Sequence, residues 1–260
     1  MKARKRKGQR YRLRSLFIVI FFTFFVTCLA YYFLILQPYL LTKSANKVSI
    51  DFSRAIIIDG IGFTKPNPTF LGRAREILVG SGLKVDVYNG SQVTIKLLDD
   101  LEGYGLIILR VHSAIEVKYG FLYLFSAEAY NRDRYTYEQS HGAYKEAYTF
   151  DSSEGPYFAL RADLLGREDG LKGSTIILMG CNGTGSDHAI KRLFERGVKA
   201  IVAWDGYVSL EYTDEVTLTL LNLVYTEGLS YSEAVKKIMD IMGPDPTWKS
   251  RLIYLANPEG

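Results

Sequence analysis

Two apolar runs in this chain end on side chains that can do chemistry. Leu106 to Val111 leads into His112, and Thr175 to Gly180 leads into Cys181. Runs of this length with β-branched content read as buried parallel strands. In open α/β sheets the working groups stand just past the carboxyl ends of such strands. A thiol and an imidazole delivered to neighbouring strand ends would be a nucleophile and its base. Cys28, the other of the two cysteines, lies in an apolar N-terminal run, which leaves Cys181 without a disulfide partner in the folded part.

Each of these residues also has a plainer reading. His112 could be a satisfied, half-buried strand-end histidine, and Cys181 an inert core thiol. His141, in Ser140-His141-Gly142, competes as a base but follows no buried strand, and His188 sits at a helix start. The loop Gly180-Cys181-Asn182-Gly183-Thr184-Gly185 feeds a helix beginning near Asp187, so its N–H groups could lower the thiol pKa or form an oxyanion hole. The same glycines could instead cradle a phosphate, although their spacing matches neither the dinucleotide fingerprint nor the P-loop. No metal-ligand spacing appears, and no metal or cofactor is expected.

The elements that would position these residues alternate as βαβαβ. Strands are predicted at 55–59, 84–88 and up to His112. Asn67 and Pro68 start one helix, and a short helix spans 91–101. Beyond residue 174 the alternation resumes. The Cys181 strand is followed by a helix, a strand at 200–204, a helix opening at Thr213, and a capping box Ser230-x-x-Glu233 on the next helix. A closing strand is expected at 252–255. The pattern gives an α/β class with a doubly wound, mostly parallel six-stranded sheet. Residues 115–172 interrupt it. This Tyr-rich insertion is either a substrate-binding excursion or a small β-subdomain without a role in chemistry.

Charge is distributed unevenly. The first 50 residues carry ten Lys or Arg and no acid, whereas residues 51–260 carry 22 basic and 28 acidic side chains. Residues 1–15 form a basic segment expected in the cytoplasm. Leu16 to Leu36 is uncharged, and about 30 Å of helix at about 1.5 Å per residue suffices to cross a bilayer. A retained transmembrane helix at 16–37 is favoured over a cleaved signal peptide, whose core would be shorter. A tether at 38–53 and an extracytoplasmic domain at 54–260 follow under the positive-inside rule. A basic run beside a membrane span reads lipid headgroups, so membrane lipid is an expected partner and nucleic acid is not.

The order of these motifs resembles the caspase-like cysteine peptidases, the group of caspases, gingipains and CHAT-type enzymes. It consists of a strand ending in His112, an insertion, a strand ending in Cys181-Asn182-Gly183, then Gly197-Val198-Lys199-Ala200-Ile201 and Trp204-Asp205. The resemblance covers roughly residues 54–256. It implies a catalytic dyad of His112 and Cys181, with the backbone N–H groups of Ser113 and Cys181 holding the oxyanion. It further implies a peptide or protein substrate, with Asp205 and Asp214 favouring a basic residue before the scissile bond. The chain departs from the pattern at two positions. Ser113 stands where the family usually has Gly, and Gly180 where Ala or Ser often precedes the cysteine. A catalytically silent binding or sensory ectodomain, and an extracytoplasmic nucleotide- or sugar-binding domain, remain the alternatives.

Overall fold

The computed structural model describes residues 20–32, 34, 51–151 and 153–258. They fall into two compact units, one within residues 1–47 and one within 48–260. In the first unit residues 20–31 are helical, with Phe21, Phe22, Phe24 and Phe25 all exposed. Thr23 and Thr27 return their hydroxyl protons to the carbonyls of Ile20 and Phe24 (2.9 and 2.8 Å), which makes these polar residues compatible with apolar surroundings. Among the described residues no helix is long and apolar enough to cross a membrane. The expected span 16–37 extends past the described residues at both ends, and the basic segment 1–15 lies outside them, as do residues 38–50 of the expected tether.

The second unit is built on a six-stranded sheet of order β10-β9-β8-β3-β1-β2. Its strands are β1 (Asp51–Asp59), β2 (Lys84–Asn89), β3 (Tyr104–Arg110), β8 (Thr175–Leu178), β9 (Ala200–Trp204) and β10 (Leu252–Ala256). All neighbours are parallel except β9 and β10. The expected mostly parallel six-stranded sheet is therefore present. β1 begins at Asp51, inside the stretch expected to be tether, because Asp51 already pairs with Tyr104 of β3, and Arg54 with Lys84 of β2.

Alternate strand residues face opposite layers. Ala55, Ile57, Leu106 and Ile108 pack against α1 (Pro68–Gly80), while Ile56, Ile58, Ile107 and Leu109 face the other side. Burial on both faces is why these strands are continuous apolar runs rather than alternating ones. The Asn67 side chain caps α1 by accepting from the Phe70 N–H at 3.0 Å. The helix expected over 91–101 shortens to α2 (Ile95–Asp99), since Thr94 supplies its own cap to Leu97 and a separate 3-10 turn precedes it. The insertion forms an antiparallel sheet of order β4-β5-β7-β6, made of β4 (Ser113–Ile115), β5 (Leu122–Ala129), β6 (Tyr144–Ala147) and β7 (Tyr157–Arg161). A short α3 (Thr136–Ser140) lies between β5 and β6. Leu122, Leu124, Phe158 and Leu160 bury the small sheet against one face of the large one, beside α2 and α4 (Asp187–Glu195). The opposite face carries α1, α5 (Leu210–Tyr225) and α6 (Tyr231–Ile241), the last with its capping box in place.

α5 begins at Leu210, three residues before the expected start at Thr213. Thr213 is consequently buried in its second turn. There its hydroxyl accepts from the Trp204 indole at 2.9 Å and donates to the Met179 carbonyl at 3.2 Å.

The carboxyl ends of β1 and β3 are locked by Arg110, which is 1% exposed. Its guanidinium reaches Asp59 Oδ1 at 2.7 Å and grips Asp214 with two bonds of 2.8 and 3.0 Å. Asn67 donates to the same Asp214 carboxylate at 2.9 Å. Removing one partner of such a buried cluster leaves an uncompensated charge. Arg110→Met should therefore lose about 3–5 kcal/mol of stability at pH 7. Lys237→Met, which breaks a half-exposed pair with Glu227, should lose less than about 1 kcal/mol. Urea unfolding followed by the fluorescence of buried Trp204 separates the two, and equal effects would refute the structural role of the cluster.

Candidate active site

His112 stands two residues past the end of β3, and Cys181 three residues past the end of β8, the strand beside it. Both line one open cleft of about 590 Å³. Neither His141 nor His188 belongs to it. His141 is exposed, with its ring 4.2 Å from that of Tyr137, and His188 lies 3.4 Å from Asp163 and edge-on to Phe121.

Burial sets the electrostatics of the pair. It pulls the His112 imidazole below its usual pKa; Glu154 opposes this and Arg110 adds to it. It pushes the Cys181 thiol upward, against a backbone N–H from Val208 that favours the thiolate and with Asp245 raising it further. The net direction is opposite to the lowering expected from the loop and the α4 terminus. Desolvation is the largest influence on the thiol, and three of the loop N–H groups are otherwise engaged. Asn182 donates to Gly206 at 2.7 Å, Thr184 to Trp204 at 3.1 Å, and Gly185 to Asn182 at 2.9 Å. A loop with these donors occupied is a poor phosphate cradle.

Ser113 opens β4, the edge strand of the small sheet. The Phe125 N–H donates to the His112 carbonyl at 2.8 Å, and Ser113 lies opposite Leu124. By the alternation of an antiparallel ladder Ser113 is in a non-hydrogen-bonded pair, so its N–H points away from β5, on the free edge. Its hydroxyl donates to the Cys181 carbonyl at 2.6 Å. A Cβ on Gly180 would lie 2.3 Å from that hydroxyl oxygen and 2.5 Å from the Val111 carbonyl. The serine after the histidine and the glycine before the cysteine therefore occupy complementary space.

His112 also borders a second, small cavity of about 10 Å³, shared with Ser126, Glu154 and Tyr157. The His112 Nε2 is buried and has no hydrogen-bond partner. The cavity is about the size of one water, enough to bridge the ring to polar neighbours. The Glu154 carboxylate is largely covered and faces Lys65 at 3.9 Å.

The two acidic residues expected at the substrate do not line the cleft, and this is a correction. Asp214 is buried and held by Arg110 and Asn67. Asp205 accepts the Arg251 N–H at 2.7 Å where β9 meets β10. Asp245, which lies between Pro244 and Pro246, has a structural part. Its fully buried carboxylate accepts from the N–H groups of Ser209, Thr247 and Trp248. Those bonds outweigh burial and hold its pKa below the usual range. An Asp between two prolines, followed by residues that can fold back on it, was the available signal.

Among the described residues no group of three or more His, Cys, Asp or Glu is placed to hold a metal ion. No protein-family model matches the chain, and no curated protein matches it either.

Two outcomes follow from this geometry. Gly180→Ala should destabilise the domain by about 1–3 kcal/mol through overpacking. Adding Ser113→Gly should restore part of that loss, since the Val111 carbonyl remains in the way. Melting temperatures of the four-member cycle measure the coupling, and strict additivity would disprove the shared space. The second concerns charge. Glu154→Gln removes the anion that opposes burial, so the His112 pKa should fall further below its ordinary value. An NMR titration of the ring that shows no shift, or a rise, would contradict this.

Proposed function

We propose that this chain is a membrane-anchored cysteine endopeptidase of caspase-like type, in which Cys181 is the nucleophile and His112 its base. The observation that carries the reading is the convergence of these two residues, distant in sequence, on one open cleft past the ends of adjacent strands. The free-edge N–H of Ser113 supports the same reading.

The electrostatics describe a neutral pair at rest. A depressed imidazole pKa leaves His112 unprotonated at neutral pH, and a raised thiol pKa leaves Cys181 protonated. His112 then accepts the thiol proton as sulfur bonds to the substrate carbonyl carbon. The oxyanion is held by the backbone N–H groups of Ser113 and Cys181, and the Val208 N–H stabilises the sulfur while it is charged. Collapse of the tetrahedral adduct breaks the C–N bond, and His112 returns the proton to the leaving amine. Water, activated by His112, then hydrolyses the thioester and regenerates the thiol.

The anchoring part rests on the helix at 20–31, apolar and exposed all round, within the uncharged run. Such a helix needs an apolar environment. The basic segment before it orients the N-terminus to the cytoplasm and the domain outward. The partners under this reading are a peptide or protein substrate and membrane lipid, with no nucleic acid and no cofactor. A catalytically silent binding domain is favoured by one observation alone, the resting pKa directions, which give no ready thiolate.

The test is labelling of the full chain with peptidyl electrophiles. Cys181 should react in the wild type, not in Cys181→Ala, and about 10²–10⁴-fold more slowly in His112→Ala. Because the His112 pKa is depressed, the rate should rise with pH and level off below the ordinary histidine range. Labelling no faster than a free thiol and indifferent to His112→Ala would leave the binding domain as the better reading.

A further inference from the structure

We propose that the cleft selects a peptide carrying a large apolar, above all aromatic, side chain next to the bond that is attacked. This rests on the peptidase reading and names its substrate class. Among the described residues lining the cleft, none is Asp, Glu, Lys or Arg. A charged side chain entering it would lose water and meet no counter-charge.

What the cleft does present is aromatic surface, brought together from three separate segments. Phe150 comes from the connection between β6 and β7, Tyr207 from that between β9 and α5, and Trp248 from that between α6 and β10. Their rings form a continuous series, Phe150 to Tyr207 at 5.6 Å and Tyr207 to Trp248 at 5.3 Å. Phe150 is 86% exposed and Trp248 52%, so the series offers uncovered face to a ligand. An exposed apolar patch of this kind marks a binding surface, and aromatic pairs gain from edge-to-face geometry beyond the area they bury.

The backbone that carries two of the three rings, at Trp248 and Tyr207, is held in place. Asp245 accepts the Trp248 N–H at 2.7 Å, and the Ser250 hydroxyl donates to the Tyr207 carbonyl at 2.5 Å. This preorganisation reduces what ordering the site costs on binding.

The occupant is a peptide rather than another apolar molecule because a strand edge borders the same space. Ser113 and Ile115 of β4 both line the cleft, and both occupy non-hydrogen-bonded positions opposite β5. Their outward backbone groups can pair with an extended chain, which adds a strand to the small sheet. The insertion thus supplies both the pairing edge and part of the aromatic wall.

The test uses the full chain with peptidyl acyloxymethyl ketones that differ only in the residue beside the reactive group: Phe, Leu, Gly, Arg or Asp. Cys181 should react fastest with the Phe compound, about tenfold or more over Arg and Asp. Trp248→Ala or Phe150→Ala should lower the Phe-to-Gly rate ratio about tenfold, while Trp248→Phe retains most of it. Labelling that depends on His112 but prefers Arg or Asp would overturn this inference and leave the peptidase standing. Absence of labelling by every compound would sink the peptidase reading instead. The side-chain preference is then read without chemistry, from the fluorescence of exposed Trp248 on adding the same peptides lacking the electrophile. A response to the Phe peptide and not the Arg peptide supports the inference. A response to oligosaccharides alone, or to neither peptide, overturns it.

Discussion

A guanidinium taken out of water has to be satisfied completely, and Arg110 organises this domain through that requirement. It sits at the last position of β3, bridges to the last position of β1, and is clasped by Asp214 from α5. Asn67 joins the same carboxylate while capping α1, so one cluster ties two strands and two helices at the sheet's carboxyl edge. The point is where strand order reverses, β2 lying to one side of β1 and β3 with the rest to the other. Two carboxylates share one cation here. Burial accordingly raises the pKa of Asp59, whose Oδ2 has no partner. This arrangement fixes the end of β3, and with it the point from which His112 emerges.

The cleft is then shaped by loops that are themselves anchored. Asp245 gathers the N–H groups of Ser209, Thr247 and Trp248, so the β9–α5 and α6–β10 connections are tied together. The turn after β8 bonds back to residues Trp204 and Gly206, which brings Cys181 near the Val208 N–H. The small sheet closes the other side through β4. In such a setting desolvation dominates the titration of both proposed catalytic groups, and it drives them toward the same neutral resting state from opposite directions.

Much of the fold was legible in the sequence because it depends on local patterns. The apolar runs at 55–58, 106–109 and 175–178, the Asn67-Pro68 helix start and the Ser230/Glu233 capping box each became the expected element. The likeness of His112 and Cys181 as strand-end residues was legible for the same reason. The meaning of Asp214 was not. An aspartate early in a helix looks alike whether it faces solvent or a buried arginine 104 positions away. Nor were Asp245 and the aromatic wall, whose members are far apart in the chain and follow no periodicity.

What the sequence determined by itself was therefore the alternating elements of the large sheet, though not those of the insertion, and which two reactive side chains end its strands. Short-range packing periodicity and capping are enough for that. Only the tertiary structure decided which acids are consumed inside the fold, why Ser113 requires Gly180, and that the cleft is aromatic and uncharged. Those properties depend on which side chains meet across the chain and how much water remains between them.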